Sequence, residues 1–266
     1  LTAPGGQVLF IADLSNIEAR MLAWLANEEP LLEAFAAGDD VYSIFASEIY
    51  NKPVTKADKL ERYVGKTAIL GLGYGMGAER YQGTLKQGSP SVDVTLGTAQ
   101  GIVAQYRGMY PNIPRLWNVC KQFLYGMIDR AQYGNTYGPL TVSNNAIQLP
   151  NKMFLKYPHL TYSGGEFLYQ SSYNKGPIRT HGPRLCENII QALARIVITN
   201  QMLSIKHQLP EVDVVLTVHD EIICVGSKED AEVTLDKIMA IMKSPPEWCE
   251  KLPLDAEGGY SEVYDK

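Results

Sequence analysis

The chain has 266 residues, enough for one large domain or two lobes with an ample core, and its 45% hydrophobic and 20% charged content excludes a disordered chain. No apolar run reaches the roughly 18–20 residues a membrane-spanning helix needs, and no basic-plus-apolar leader opens the sequence. A net charge of −5 disfavours a nucleic-acid partner only if it is evenly spread, and it is not.

Pro4-Gly5-Gly6 signals a turn, and Val8–Ala12 then reads as a buried strand ending at Asp13. A helical pattern runs from about Asn16 to Asn27, and residues 31–50 continue as helix with a break at Gly38-Asp39-Asp40. Lys56–Gly71 is predicted as a helix capped by Thr55. Residues 98–133 predict one or two long helices interrupted at Pro111 and Pro114. From Gly134 to Gly182 frequent Gly, Pro, Asn and Tyr predict strands and loops. Arg184–His207 is helical, with Leu185, Ile189, Ala192, Ile196 and Leu203 on related faces. A hairpin over 212–225, a helix over 229–242 and an irregular or extended tail over 252–266 complete the chain. Strands near the two ends and helices between them predict an α/β unit carrying a large insertion.

Charge follows the same division. Residues 1–51 carry one basic and eight acidic groups, residues 209–266 five and fourteen, and the stretch 52–208 eighteen and seven. A basic middle between acidic ends suits a phosphate backbone held by one part and a metal held by the other, although chance variation of surface charge gives the same pattern. Cys120, Cys186, Cys224 and Cys249 are widely spaced with no C-x-x-C pair, which argues against a zinc site or disulfide framework and predicts a reducing cytoplasm.

Three constellations carry chemistry. Asp220 lies in Val218-His219-Asp220-Glu221 between the apolar runs 212–218 and 222–225, and two carboxylates there are costly to keep dry without a metal or cationic substrate. His, Asp and Glu are also poor residues for a tight two-residue turn, though a polar hairpin tip is often only a turn. Asp13-Leu14-Ser15-Asn16-Ile17-Glu18-Ala19-Arg20 puts a second carboxylate at the end of a strand, where α/β proteins often place reactive groups. Ser15 with Glu18 also reads as a capping box, and Asp13 with Arg20 as an ordinary ion pair. Finally, Arg62, Lys66, Leu70 and Tyr74 fall at steps of four, a slowly winding helical stripe suited to a triphosphate followed by a sugar or base. Gly71, Gly73 and Gly75 beside it leave room for a base or backbone, or simply end the helix above a solvated Arg/Lys face.

In order and spacing the three resemble motifs A, B and C of the DNA polymerase I family (family A): Asp-Tyr-Ser-x-Ile-Glu-x-Arg, Arg-x3-Lys-x7-Tyr-Gly and His-Asp-Glu. Leu70-Gly71-Leu72-Gly73-Tyr74-Gly75-Met76-Gly77 and Glu187-Asn188-Ile189-Ile190-Gln191-Ala192 are similar to the bacteriophage branch. The resemblance covers essentially the whole chain. It implies an α/β fold: a palm, an antiparallel sheet with helices, carrying a mostly helical fingers insertion. Residues 1–24 and 181–266 would be palm, with motif C at 219–221, and 25–180 fingers, with motif B at 62–75. Thumb and exonuclease domains would be absent, making the chain a C-terminal portion or one half of a two-chain enzyme.

The implied activity is template-directed transfer of deoxynucleotides to a primer 3′-hydroxyl in DNA replication. Asp13, Asp220 and the carbonyl of Leu14 would hold two Mg²⁺ ions, hard-oxygen chemistry proper to that metal, with Glu221 in support. Arg62 and Lys66 would grip the triphosphate, Lys66 would protonate the leaving pyrophosphate, and Glu18 would exclude a ribose 2′-hydroxyl. Leu70 would lie against the nucleotide sugar, Tyr74 and Gly75 by the nascent pair and template, and His219 and Gln191 at the primer terminus, Gln191 in the minor groove. The implied partners are primer-template DNA, deoxynucleoside triphosphates and an upstream thumb-bearing segment in cis or as a separate chain, with no membrane; the implied compartment is the cytoplasm, the host's for a phage protein. The chain departs from the family at Leu70 (usually Phe or Tyr), Asn16 (often Gln), Glu187 (often Asn) and Asn151-Lys152-Met153 (often Ser-Gly-Arg). A two-metal nuclease and a non-catalytic DNA-binding or assembly remnant are the alternatives; the triphosphate stripe disfavours the first and intact Asp13, Asp220 and Lys66 the second.

Overall fold

Apolar residues packed between Gln7 and Leu14 make the first strand, β1, with Val8, Leu9, Phe10, Ala12 and Leu14 buried. In the computed structural model, which describes residues 1–171 and 176–264, β1 (Gln7–Leu14) is followed by α1 (Ile17–Ala26), α2 (Glu29–Ala37), α3 (Val41–Tyr50) and α4 (Lys59–Leu72). Next come α5 (Ala78–Gln87), α6 (Leu96–Met109) and α7 (Asn112–Gly126). Seven short strands follow: β2 (Thr136–Tyr137), β3 (Leu140–Ser143), β4 (Ala146–Gln148), β5 (Phe154–Lys156), β6 (Thr161–Ser163), β7 (Glu166–Tyr169) and β8 (Ile178–Thr180). The chain continues as α8 (Gly182–Gln208), β9 (Asp213–Val218), β10 (Glu221–Ser227), α9 (Ala231–Met242) and β11 (Ala256–Ser261).

Two compact units divide the chain, Leu1–Met21 with Leu193–Lys266, and Leu22–Ala192. The first is built on an antiparallel sheet of order β11-β1-β10-β9. β1 lies between β10, pairing Asp13 with Glu221, and β11, pairing Asp13 with Glu257. α9 packs on β1 and β11, and the Gln201 amide of α8 donates to the Met242 carbonyl that ends α9. The tail, expected to be irregular or extended, thus supplies an edge strand. The expected hairpin forms, but its first strand is not a buried run: Val215 and Leu216 on β9 are 49% and 41% exposed. β9 is a sheet edge, whereas its hairpin partner β10 has a strand on each side.

The second unit holds α2 to α7 and two small antiparallel sheets, β2-β3-β4-β5 and β6-β7-β8. α3 and α4 pack so closely that a Cβ on Gly65 would stand 2.2 Å from the Tyr42 carbonyl oxygen. Phe45, Tyr106 and Tyr110, all buried, meet edge-on or tilted within 5.2–6.0 Å between ring centres. α2 stops where Gly38 turns left-handed (φ 76°) and its amide caps the last carbonyls.

Three expectations about this unit are corrected. α4 starts at Lys59, not Lys56, because Thr55 is not its cap: the Asp58 carboxylate accepts from the Thr55 amide and hydroxyl (2.8 and 2.9 Å), closing a turn ahead of the helix. α5 was not anticipated; only Tyr81 and Leu85 of its ten residues are buried, too few to reveal a period. Pro114 interrupts nothing, since it lies in the first turn of α7, where a missing amide hydrogen costs no helical bond.

Candidate active site

In the first unit the two carboxylate-bearing segments are joined through the main chain. The Leu14 amide donates to the Asp220 carbonyl (3.2 Å), tying the end of β1 to the β9–β10 turn. The pair Val218–Glu221 leaves His219 and Asp220 as a two-residue turn, contrary to the expectation that these residues would avoid one. His219 is left-handed (φ 55°), at the position where a turn of this kind normally has Gly. A non-glycine residue held there stores local strain, a common mark of functional positions.

The burial expected of Asp220 belongs to its neighbour. Asp220 is half-buried at the turn, whereas Glu221 is 1% exposed and its Oε1 accepts from the Tyr264 hydroxyl at 2.9 Å. Opposed residues of antiparallel strands share a face, so Glu221, Asp13 and Glu257 stand side by side across β10, β1 and β11. Like charges so placed repel, and a cation would relieve them. Among the described residues no three His, Cys, Asp or Glu side chains form a ready-made metal cage. Asp13, Asp220 and the Leu14 carbonyl do fit Mg²⁺, which takes one or two carboxylates and completes its shell with water and substrate phosphate.

Glu18 lies half-buried in the first turn of α1, which begins at Ile17 after a left-handed Asn16 (φ 55°). Arg20 is 4% exposed; its Nε donates to the Ser15 carbonyl (2.7 Å), its Nη1 to the Pro253 carbonyl (2.8 Å), and Nη2 lies 3.9 Å from Asp255. Burial raises the Asp255 carboxyl, but the Lys243 hydrogen bond, the Ala256 amide and the charges of Lys243 and Arg20 hold it below its usual range.

In the second unit α4 turns Val64, Gly65, Ala68, Ile69 and Leu72 inward and leaves Arg62 half-buried and Lys66 and Leu70 exposed. Tyr74 lies just beyond the helix, in a turn with Gly75 left-handed (φ 77°). The glycines do not leave open space as expected. A Cβ on Gly71 would meet Met76 at 2.8 Å, on Gly73 Leu22 at 2.5 Å and on Gly75 Pro183 at 2.7 Å, so the protein itself fills these gaps. The Trp117 indole further pins this end by donating to the Gly73 carbonyl (2.8 Å). Gln191 is exposed on α8.

Sequence reasoning missed the surroundings of the cations. Arg62 forms a two-pronged pair with Asp40, and its guanidinium carbon lies 5.2 Å from the centre of the Tyr42 ring; Lys66 Nζ lies 6.0 Å from the same ring. Burial raises the Asp40 carboxyl, but hydrogen bonds from Arg62 and Ser43 and the Arg62 charge hold it below its usual range. The only signal in the sequence was an acidic pair before α3, which reads equally as a helix start.

This α/β fold, with strand-end carboxylates on one sheet and a separate cation-bearing helix, is that of a DNA polymerase I-type polymerase domain. It matches the POL domain of Pol1 from M. smegmatis, solved as a complex with DNA primer-template and dNTP, with a TM-score of 0.69 at 21% identity over 98% of this chain and 41% of that one. The family model "DNA polymerase family A" matches residues 1–266, and the chain belongs to that family. It is 32% identical to the DNA polymerase of Bacillus phage SP02, over 98% of this chain and 42% of that protein. With the thermostable DNA polymerase I of Thermus thermophilus it shares 25% identity, over 98% of this chain and 27% of that protein. The chain thus spans less than half the length of these relatives. No helix among the described residues is long and apolar enough to cross a membrane.

Proposed function

We propose that the chain is the nucleotidyl-transfer portion of a template-directed DNA polymerase, with residues 1–24 and 181–266 as palm and 25–180 as fingers. The observation that carries this reading is the Leu14–Asp220 hydrogen bond, which joins the Asp13 strand end to the Asp220 turn in a chain of this family. Asp13, Asp220 and the Leu14 carbonyl would hold two Mg²⁺ ions, with Glu221 in support. When bound, such ions would supply Lewis-acid charge at the α-phosphate and the primer 3′-hydroxyl.

The remaining roles fall to the chain's own groups. Arg62 and Lys66 hold the triphosphate, and Lys66 gives a proton to the departing pyrophosphate. Glu18 excludes a ribose 2′-hydroxyl and Leu70 lies against the sugar. Tyr74 and Gly75 line the nascent pair and template base, His219 touches the primer terminus, and Gln191 checks minor-groove acceptors common to all correct pairs. An upstream segment, in cis or as a separate chain, supplies further grip on duplex DNA; the greater length of the relatives supports this.

Primer extension with Mg²⁺ and four deoxynucleotides tests the reading, with and without an upstream segment from a family A polymerase. Templated extension is expected, weak for the chain alone and stronger with the segment. Asp220→Ala should lower it by about 10²–10³-fold or more. Primer shortening instead of extension would mark a nuclease. DNA binding without incorporation in every combination would mark an assembly module.

A further inference from the structure

The pair between Arg62 and Asp40 uses one particular edge of the guanidinium. Nε donates to Oδ2 at 2.5 Å and Nη2 to Oδ1 at 3.2 Å. A guanidinium has five N–H groups and a second two-pronged edge formed by Nη1 and Nη2, and that edge takes no part in the Asp40 pair. Asp40 is itself held in place: its side chain is 14% exposed, and the Ser43 hydroxyl donates to Oδ2 at 2.7 Å. The Tyr42 ring lies near both cations, within 5.2 Å of Arg62 and 6.0 Å of Lys66. A flexible side chain that must receive a phosphate is therefore fixed along one edge before the ligand arrives. Its charge is meanwhile partly cancelled by the paired carboxylate.

We propose that Asp40 is a positioning residue for the nucleotide site: it fixes the side edge of Arg62, reserves the Nη1/Nη2 edge for a phosphate, and weakens the hold on triphosphate and pyrophosphate alike. This rests on the reading of Arg62 as a triphosphate ligand. Two effects of Asp40 oppose each other. Fixing the fork reduces the conformational freedom lost on binding, which favours affinity. The negative charge repels a polyanion gathered on the other edge, which reduces affinity. In a site that must also release pyrophosphate, tight binding of both ligands would slow turnover, so a weaker but correctly oriented contact serves the reaction better.

The two effects separate by substitution. Asp40→Asn keeps an acceptor for the Nε–H while removing the charge, whereas Asp40→Ala removes both. Equilibrium binding of Mg²⁺-dATP and of Mg²⁺-pyrophosphate is measured on the 266-residue chain for wild type, Asp40→Asn, Asp40→Ala, Arg62→Ala and the Asp40→Asn/Arg62→Ala double variant, with circular dichroism as the check on folding. Asp40→Asn is expected to bind both ligands about five-fold more tightly than wild type, as expected for removing one nearby charge in a partly screened site. Asp40→Ala should fall between the two, and the gain should vanish in the Arg62→Ala background. Equal or weaker binding by folded Asp40→Asn, or a gain that persists without Arg62, would overturn the proposal. If Arg62→Ala binds as wild type does, or wild type binds neither ligand, the triphosphate reading of Arg62 fails and this inference with it. If Arg62→Ala weakens binding while both Asp40 variants match wild type, only the inference fails.

Discussion

The hydroxyl of Tyr264 donates to Oε1 of Glu221 at 2.9 Å, so a residue of the tail satisfies the carboxylate buried beside the turn that carries Asp220. Hydrogen bonds to charged groups contribute about 1.5–3 kcal/mol, and a buried carboxylate deprived of one loses most of that. Tyr264→Phe should therefore cost about 1–2 kcal/mol in urea unfolding with little change in compactness. A midpoint equal to that of wild type would show that the contact contributes nothing.

Arg20 is a second anchor of the same region. Its guanidinium serves the carbonyls of Ser15 and Pro253 and lies near Asp255 while almost wholly buried. Arg20→Ala should destabilise by about 3 kcal/mol, because it removes a buried guanidinium that serves two part-buried carbonyls. Arg20→Lys should recover little, since a single ammonium cannot reproduce a planar fork directed at separated acceptors. Full recovery by Lys in thermal unfolding would refute the geometric part of this account.

Glu28 gives a pH dependence of defined sign. It is buried, and its Oε2 accepts from the Asn112 amide at 2.8 Å, at the start of α7. Burial raises its carboxyl above the usual range, outweighing the Asn112 and Ile113 amides and the Arg115 charge. A carboxyl raised on folding stabilises most fully below its unfolded value, about 4.3, and that contribution is lost as pH rises through the folded value. Glu28→Gln does not titrate there, so its stability relative to wild type should improve steadily from pH 4 to pH 7. A constant difference across that range would mean that Glu28 ionises as freely folded as unfolded.

Two glycines predict opposite outcomes for the same substitution. In α4 a Cβ on Gly65 would meet the Tyr42 carbonyl oxygen at 2.2 Å, and that backbone atom cannot move without shifting α3. Gly65→Ala should therefore cost about 2 kcal/mol or more. Gly101 in α6 has nothing within 4 Å of its Cβ position, so Gly101→Ala should stabilise by about 0.5–1 kcal/mol. Thermal melts of the two variants should move in opposite directions.

The three constellations were legible because each lies within a few consecutive residues or at a fixed helical step. β1 and the hairpin were legible from their apolar runs, and α8 from apolar residues recurring on related helical faces. β11 was not: Ala256–Ser261 contains two glycines and no β-branched residue, and it is a strand because β1 offers it an edge. The partners that shape the candidate site were hidden for a similar reason. Tyr264 for Glu221, Asp255 for Arg20 and Asp40 for Arg62 are remote in sequence, so local pattern carries no trace of them. Burial was assigned to the wrong acid because hydrophobic flanks do not distinguish the last residue of a turn from the first residue of a strand. Asp220 is the one and Glu221 the other.

β1 is formed by residues 7–14, yet its pairing partners are residues 221–227 and 256–261. On a ribosome it emerges before either partner and must wait, unpaired and strongly apolar, while the whole of 22–192 is made. That intervening unit contains its own contacts and can fold in the meantime, whereas the acid-bearing sheet depends on closing a very long loop. The order of synthesis therefore lets the carboxylate sheet mature only after the 22–192 unit has been made. During that interval β1 is exposed to aggregation and to chaperones, and a chain cut short before β10 would leave the cation-bearing helix in a folded unit with no carboxylate sheet formed.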